Sequence, residues 1–323
     1  MNTQGLVPYS VIIPVYNGAR HIRRALESVF AQTAPPDEVL VVDDGSQDGS
    51  DELARDVDPR VIVHRHDRNR GPSEARNTGI HCSRNEIIAF LDSDDWWIPG
   101  KMDQQLALFA LQPDLIAVFS DFQMSDPHGN VIAFQNVTLD QLSSFGLSLE
   151  RLENDAYVVN GSVTHALISQ MSFILPSSVV VKRSAFNRAG FFDPSYLIGE
   201  DLDMWIRLSL AGSIGYVDNR LVTKEKRATS LSHKEVKAAE DITRLYAGLP
   251  SRLPNLPDSV KHHIRGFLKR QYDGLGWHSR DKGDLAKSRH YYRLSLQQRF
   301  TLRTLACLAR SCLEELTPWI GAH

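Results

Sequence analysis

Glu86-Ile87-Ile88-Ala89-Phe90-Leu91, followed at once by Asp92-Ser93-Asp94-Asp95, is the stretch that decides the architecture of this 323-residue chain. An apolar run without the alternation of a half-exposed strand reads as a strand buried on both faces. Three carboxylates crowded at its carboxyl end repel one another and raise one another's pKa. A cation among those oxygens relieves the repulsion, and hard oxygen ligands of this kind suit Mg²⁺ or Mn²⁺. A divalent ion held by few protein ligands shares its coordination with substrate phosphates. The alternative is an acidic turn that caps the next helix.

Outward from this strand, apolar runs alternate with helical patterns. Tyr9 to Val15 is a second buried strand, and Ile22, Ala25, Leu26, Val29 and Phe30 then recur at the spacing of an amphipathic helix. Glu38 to Val42 is a strand ended by Asp43-Asp44-Gly45-Ser46, and Asp48 or Ser50 can cap the helix after it. Arg60 to His64 is another strand, Pro72 begins a helix running to about Ser83, and Pro99 opens a further one. Such alternation means parallel strands with right-handed crossovers and helices on both faces. Ligands bind beyond the carboxyl ends of strands in such sheets. Pro14 to Asn17, Asp43 to Ser46 and Asp92 to Asp95 all fall on that rim.

The middle of the chain is less regular. Leu115 to Phe122 and Val131 to Gln135 read as strands around the turn Asp126-Pro127-His128-Gly129-Asn130. From about Val137 to Gln170 no period dominates, and loops with short helices are expected beside an acceptor. Ser178 to Lys182 and Ser213 to Val217 read as strands, and Asp201 to Ala211 as a helix. Beyond Ser232 the pattern turns helical. Gly274 to Leu296 reads as one hairpin of the tetratricopeptide type, which cannot bury its own apolar face alone. Leu302, Leu305, Ala309, Cys312, Leu313 and Leu316 form an amphipathic stripe. The expected division is a domain over 1–232, with a nucleotide-binding half over about 9–112 and an acceptor half over about 113–232, then a helical accessory region over 233–323.

Composition narrows the class. With 42% hydrophobic residues, 23% charged residues and a net charge of −3, the chain reads as soluble and globular with no need of nucleic acid. Cys82, Cys307 and Cys312 suggest neither a disulfide framework nor a zinc site, so a reducing cytoplasm is expected. Met1 to Pro8 lacks the features of a signal peptide, and no apolar run approaches the roughly 18 residues of a membrane span. Ser251 to His323 carries 13 Lys and Arg against 6 Asp and Glu, a balance of +7 on a body of −10. That asymmetry fits a peripheral contact with the inner membrane face or a partner, and equally a solvated helical face.

Five segments together are specific. Val11-Ile12-Ile13-Pro14-Val15-Tyr16-Asn17-Gly18, Val41-Val42-Asp43-Asp44-Gly45-Ser46, Asn69 to Ile80 (NRGPSEARNTGI), Phe90 to Trp96 (FLDSDDW) and Gly190 to Leu208 (GFFDPSYLIGEDLDMWIRL) resemble family 2 glycosyltransferases. The resemblance covers about Tyr9 to Ser232. It implies the α/β GT-A fold, a mostly parallel sheet with helices on both faces, here followed by a C-terminal helical extension. It also implies inverting transfer from a nucleotide-diphosphate sugar to a saccharide or lipid-linked acceptor hydroxyl, as in cell-surface polysaccharide synthesis. A uridine diphosphate sugar is the expected donor.

By the same resemblance Pro14, Tyr16 and Asp44 hold the nucleoside base, Tyr16 by its ring and Asp44 by accepting from the base N–H. Asp43 is either a ligand contact or a structural cap. Arg76 matches a basic residue near the phosphates, Asp92 one that faces the ribose, and either Asp94 or Asp95 the ligand of Mn²⁺ or Mg²⁺. The ion acts as a Lewis acid on the departing diphosphate. Asp201 corresponds to the base, Glu200 lies near acceptor or donor sugar, and helix capping by Asp201 is the competing reading. Trp205 either floors the acceptor site or packs in the core. Many members carry a histidine where this chain has Arg227, which cannot ligate a cation but can clamp a diphosphate. A GT-A scaffold without catalysis would need neither the acidic cluster nor the Glu200-Asp201 pair. A nucleotidyltransferase would favour a lysine that Pro14 to Arg20 lacks.

Overall fold

The computed structural model describes residues 7–135, 138–170, 173–226 and 235–320, so Arg227 lies outside the described residues. The chain divides into two compact units, 1–230 and 231–323. In the first, β1 (Tyr9–Val15), α1 (Ile22–Phe30), β2 (Glu38–Asp43), α2 (Ser50–Arg55), β3 (Val61–Arg65), α3 (Pro72–Cys82) and β4 (Ile87–Phe90) alternate as the periodicity implies. There follow β5 (Asp95–Trp97), α4 (Lys101–Leu111), β6 (Leu115–Ser125), β7 (Val131–Gln135), α5 (Leu139–Ser144), β8 (Ser148–Arg151), β9 (Ala156–Asn160) and α6 (Val163–Gln170). The unit ends with β10 (Val180–Lys182), α7 (Phe186–Ala189), α8 (Glu200–Ala211) and β11 (Ser213–Glu225).

All these strands join one sheet, in the order β3-β2-β1-β4-β10-β6-β11-β9-β8, with β5 on β11 and β7 on β6. The β3-β2-β1-β4 half is parallel throughout. Then β10 inserts antiparallel between β4 and β6, so the sheet is mixed, with parallel pairing resumed between β6 and β11. Strand–helix alternation reports crossovers between consecutive strands; it is blind to a strand that returns from 90 residues downstream to cover the open edge of β4. The segment expected as loops with short helices also holds the antiparallel pair β8–β9, whose residues alternate too weakly for a period to show.

Packing explains how the rim is placed. Val11, Ile13, Val39, Val41 and Ala89 interdigitate with Ile22, Ala25, Leu26 and Val29 of α1 in one core. On the other face Gly79 lets α3 lie directly on β1: a Cβ there would come 2.4 Å from Ile12 Cγ2. That close approach carries Arg76, one turn earlier, to the carboxyl ends of the strands.

The second unit holds α9 (Glu235–Arg252), α10 (Asp258–Asp281), α11 (Leu285–Gln298) and α12 (Leu302–Ile320). Asp284 caps α11 by accepting from the Lys287 amide at 2.9 Å, and Gly276 of α10 meets the Tyr292 ring of α11. In α12 the buried positions are Thr304 and Ser311, while Leu302, Leu305 and Leu313 are exposed. Leu302, Leu305 and Leu313 of the apolar stripe therefore face outward. Small hydroxyls permit the packing instead, with Ser288 and Ser311 bonded at 3.0 Å and Thr304 donating to Asp273 at 3.0 Å. Among the described residues no helix is long and apolar enough to cross a membrane.

Candidate active site

The rim is built first from the loops after β1 and β2, which are stitched together. The Asn17 amide donates to Ser46 Oγ at 2.9 Å, the Gln47 amide to Asn17 Oδ1 at 2.9 Å, and the Gly18 amide to Ser50 Oγ at 2.9 Å. Asn17 takes a left-handed φ of 49°, which turns the chain sharply after the strand. Pro14 lies inside β1, opposite Val42, and Tyr16 beyond it is 52% exposed, an available aromatic platform. Asp44 is differently employed from its expected role. It is buried, its carboxylate accepts from the amides of Arg70 (2.9 Å) and Gly71 (2.7 Å), and it lies 2.7 Å from His66 Nδ1. These partners make Asp44 the organiser of the turn into α3 and leave it little capacity for a nucleobase. Asp43 accepts from the Ser46 amide at 3.0 Å through Oδ1, while its buried Oδ2 has no hydrogen-bond partner and sits 3.4 Å from Arg65 Nε. Enclosed and ion-paired in this way, Asp43 holds the loop after β2 and Arg65 rather than presenting an accessible acceptor.

The acidic loop after β4 is tied down by Ser177, which the sequence did not single out. Ser177 Oγ accepts from the Asp92 amide at 3.0 Å and donates to Asp95 Oδ2 at 2.6 Å, while its carbonyl accepts from Trp97 Nε1 at 2.9 Å. Burial, then the charges of Asp94 and Asp92, push the Asp95 carboxyl well above the usual range against the pull of Lys224. Asp95 is only 2% exposed, whereas Asp94 is half-exposed. No signal short of the fold could have found Ser177, since it lies 82 residues from Asp95.

Opposite the acidic loop, α8 presents its amino terminus. Gly199 is the residue before its first turn, with φ of 86° and no side-chain cap bond, so Asp201 is not the cap. Asp201 Oδ1 instead accepts from the adjacent Leu202 amide at 2.7 Å. Burial raises the Asp201 pKa. Burial, reinforced by the Asp201 charge and opposed by Arg76, pushes Glu200 up to about 7. Arg76 is also buried, and its guanidinium reaches Glu200 Oε1 at 3.0 Å and Asp92 Oδ1 at 2.7 Å. The Gly190 to Leu208 segment is fixed to α3 by Asn77, which donates to the Phe192 carbonyl at 2.8 Å and accepts from its amide at 2.9 Å.

Trp205 corrects one expectation. Its indole is 2% exposed, donates to the Ile174 carbonyl at 3.1 Å and meets Phe192 edge-on at 6.0 Å. A ring so enclosed belongs to the core and cannot floor an acceptor site.

Among the described residues no three His, Cys, Asp or Glu side chains converge as a ready-made metal cage. The donor set still suits a hard divalent ion: desolvated, mutually repelling carboxylate oxygens at the end of β4, with Asp94 the more accessible. An ion there would take one or two protein oxygens and draw the remainder from bound diphosphate and water.

A nucleotide-type rim facing paired carboxylates across one sheet, on this strand order, defines a glycosyltransferase of the GT-A fold. Residues 10–166 match glycosyl transferase family 2. The chain is 28% identical over 246 residues to an uncharacterized glycosyltransferase of Rickettsia typhi, covering 76% of this chain and 72% of that protein. It is 30% identical over 268 residues to the succinoglycan biosynthesis protein ExoO of Rhizobium meliloti, covering 79% and 72%. In fold it is similar to S. aureus TarS in complex with UDP-GlcNAc (TM-score 0.53, 17% identity, 91% and 92% covered). It is similar too to a mannosyltransferase from Pyrobaculum calidifontis in complex with GDP-Man and Mn²⁺ (TM-score 0.56, 18% identity, 95% and 80% covered). The chain belongs to glycosyl transferase family 2.

Proposed function

We propose that this chain is an inverting, metal-dependent glycosyltransferase that moves a sugar from a UDP-sugar to a saccharide or lipid-linked hydroxyl in cell-surface polysaccharide synthesis. The observation that carries the reading is the placement of Glu200 and Asp201 across the rim from Asp92, Asp94 and Asp95, linked through Arg76. The uridine assignment draws on TarS, the metal on the mannosyltransferase, and the acceptor class on ExoO.

Tyr16 offers its exposed ring to the base. Asp92 faces the ribose, and Asp94, the more accessible carboxylate, contributes an oxygen to the cation. A bound Mn²⁺ or Mg²⁺ would supply Lewis-acid charge against the diphosphate. Asp201 accepts the acceptor's proton on a carboxylate oxygen as its hydroxyl attacks, and its raised pKa brings it nearer a base suited to neutral pH. Glu200 holds the approach of the sugar beside it.

The helical unit contributes location. Phe300, Leu302, Leu305 and Leu313 are exposed beside the exposed Arg299 and Arg303, a surface suited to lying on an anionic membrane of the cytoplasmic face. Incubating the protein and Mn²⁺ with a panel of UDP- and GDP-sugars and measuring nucleotide release tests the reading. Turnover confined to UDP-sugars and abolished by EDTA is expected. Release from GDP-sugars alone, or release indifferent to EDTA, would refute the corresponding part.

A further inference from the structure

Arg76 is engaged in a way that a phosphate ligand is not. Its Nη2 reaches Asp92 at 2.7 Å, its Nη1 reaches Glu200 at 3.0 Å, and the residue is 3% exposed. The guanidinium carbon lies 5.4 Å over the Phe192 ring, and the Phe192 backbone is pinned on both sides by Asn77 of the same helix. Asp92 follows β4, whereas Glu200 opens α8, so one side chain spans two elements far apart in sequence. A planar fork can bond two carboxylates at once in fixed directions; an ammonium is a point charge and cannot hold both in this geometry.

We propose that Arg76 is a positioning residue that sets the separation between the donor-side carboxylate Asp92 and the acceptor-side pair Glu200–Asp201, and that it is not a ligand of the diphosphate. The inference rests on the glycosyltransferase reading of this rim. Removing Arg76 leaves the half-buried Asp92 and the buried Glu200 without the counter-charge that now lies between them, so α8 shifts relative to the acidic loop. The charge of Arg76 also opposes the burial that favours protonated Glu200, so its loss leaves that carboxyl neutral to higher pH.

The test compares wild type with Arg76→Gln and Arg76→Lys, using UDP and uridine as binding probes with Mn²⁺. Hydrolysis of UDP-glucose, UDP-galactose and UDP-N-acetylglucosamine serves as the turnover probe. For Arg76→Gln, UDP affinity within about threefold of wild type is expected, with kcat down about 10²-fold, the size of effect that misplaced groups produce. The acid limb of its pH–rate profile should move upward. Arg76→Lys, which keeps the charge without the fork, should return that limb towards wild type while kcat stays low. It carries the comparison if Arg76→Gln does not fold. A loss of UDP affinity of about tenfold or more with uridine affinity unchanged would identify Arg76 as a phosphate ligand and overturn the proposal. Unchanged kcat and pH profile would overturn it too. A wild-type chain that binds neither UDP nor GDP with Mn²⁺ would bring down the site reading together with it.

Discussion

Charge pairs reach further along the sequence in the catalytic unit of this molecule than in its helical unit. In the catalytic unit buried acids and bases meet across long sequence separations: Arg76 with Glu200 over 124 residues, and Arg24 with buried Glu225 over 201. In the helical unit many pairs are local, such as Lys237–Asp241, Lys269–Asp273 and Arg310–Glu314, each four residues apart along a helix. Apolar surface is distributed in the opposite sense. The central strands β1, β2 and β4 bury theirs completely, whereas α12 leaves Leu302, Leu305 and Leu313 in the open. Burying a charge is expensive unless it is paired, and breaking such a pair is more damaging than losing an exposed one. The catalytic unit carries that expense at the rim, in Arg76, Asp95 and Glu200, and also at structural pairs such as Glu38 with Arg84. Substitutions at the rim should therefore act on the reaction, and substitutions on α12 on where the protein resides.

The largest effect tests the rim. Asp201→Asn preserves shape and can still accept from the Leu202 amide through Oδ1, but it cannot take a proton. Transfer should fall by about 10²–10⁴-fold, while UDP binding with Mn²⁺ persists. Because Gly199 precedes the helix without a side-chain cap bond, the fold has no cap to lose here. Near-normal turnover by this variant with an active donor–acceptor pair would move the base elsewhere.

The next test separates the acidic neighbours. Asp94→Asn should weaken Mn²⁺-dependent UDP binding by about 10–100-fold, the range in which perturbed metal sites fall. Its effect on melting temperature should be slight, because the side chain is half-exposed. Asp95→Ala should show the reverse emphasis, losing stability because the buried Ser177 hydroxyl is left without its acceptor. Calorimetric titration with and without Mn²⁺, beside thermal melts, reads both. Equal metal dependence in the two variants would erase the distinction drawn from their burial.

The parts of this site that the sequence revealed are those written in local patterns. Apolar runs located β1, β2 and β4, and the polar residues just past them located the rim, because a strand's end is fixed by its own residues. Tyr16 and Asp92 stood in such places, and the Glu200-Asp201 pair stood at the start of a helix, α8. Ser177, the pairing of buried Asp43 with Arg65 and the bridging role of Arg76 were not legible, since each depends on which distant backbone arrives beside it. Asp44 and Trp205 show the same limit from the other side. A carboxylate next to a rim and a tryptophan one turn from a catalytic pair look alike in sequence whether they face a ligand or the core. Periodicity found the apolar face of α12, while the exposure of Leu302, Leu305 and Leu313 on that face came only with the fold.

Glu200 gives a pH test of intermediate size. Its ordinary value near 4.5 is pushed up to about 7 in the folded chain. Between those values the folded protein holds a proton that the unfolded chain has released. Stability should therefore decline as pH rises from about 4.5 to about 7 and change little above, by about 1–3 kcal/mol in total. Glu200→Gln should flatten that segment of the curve whatever it does to absolute stability. Urea midpoints at a series of pH values measure the slope, and an unaltered slope in the variant would assign it to another group.

The smallest effect on chemistry is expected from α12, and there the comparison between the units is sharpest. Leu305→Glu and Leu313→Glu alter exposed side chains, so neither a core contact nor a buried hydrogen bond is broken. Surface changes of this kind usually move stability by no more than about 0.5 kcal/mol, and turnover of a soluble donor should match wild type. Membrane binding should respond differently. A helix lying in the interface gains from each buried apolar side chain and from basic residues near anionic lipid. An introduced carboxylate removes the first gain and opposes the second. Co-sedimentation with vesicles of phosphatidylglycerol and phosphatidylcholine should fall several-fold for each variant, more at low salt than the neutral Leu305→Gln, because only the charged change adds repulsion. If wild type and both variants sediment alike, or if none binds, the stripe on α12 does not serve a lipid surface. If binding falls while hydrolysis of a soluble UDP-sugar is untouched, location and chemistry reside in separate units of this chain.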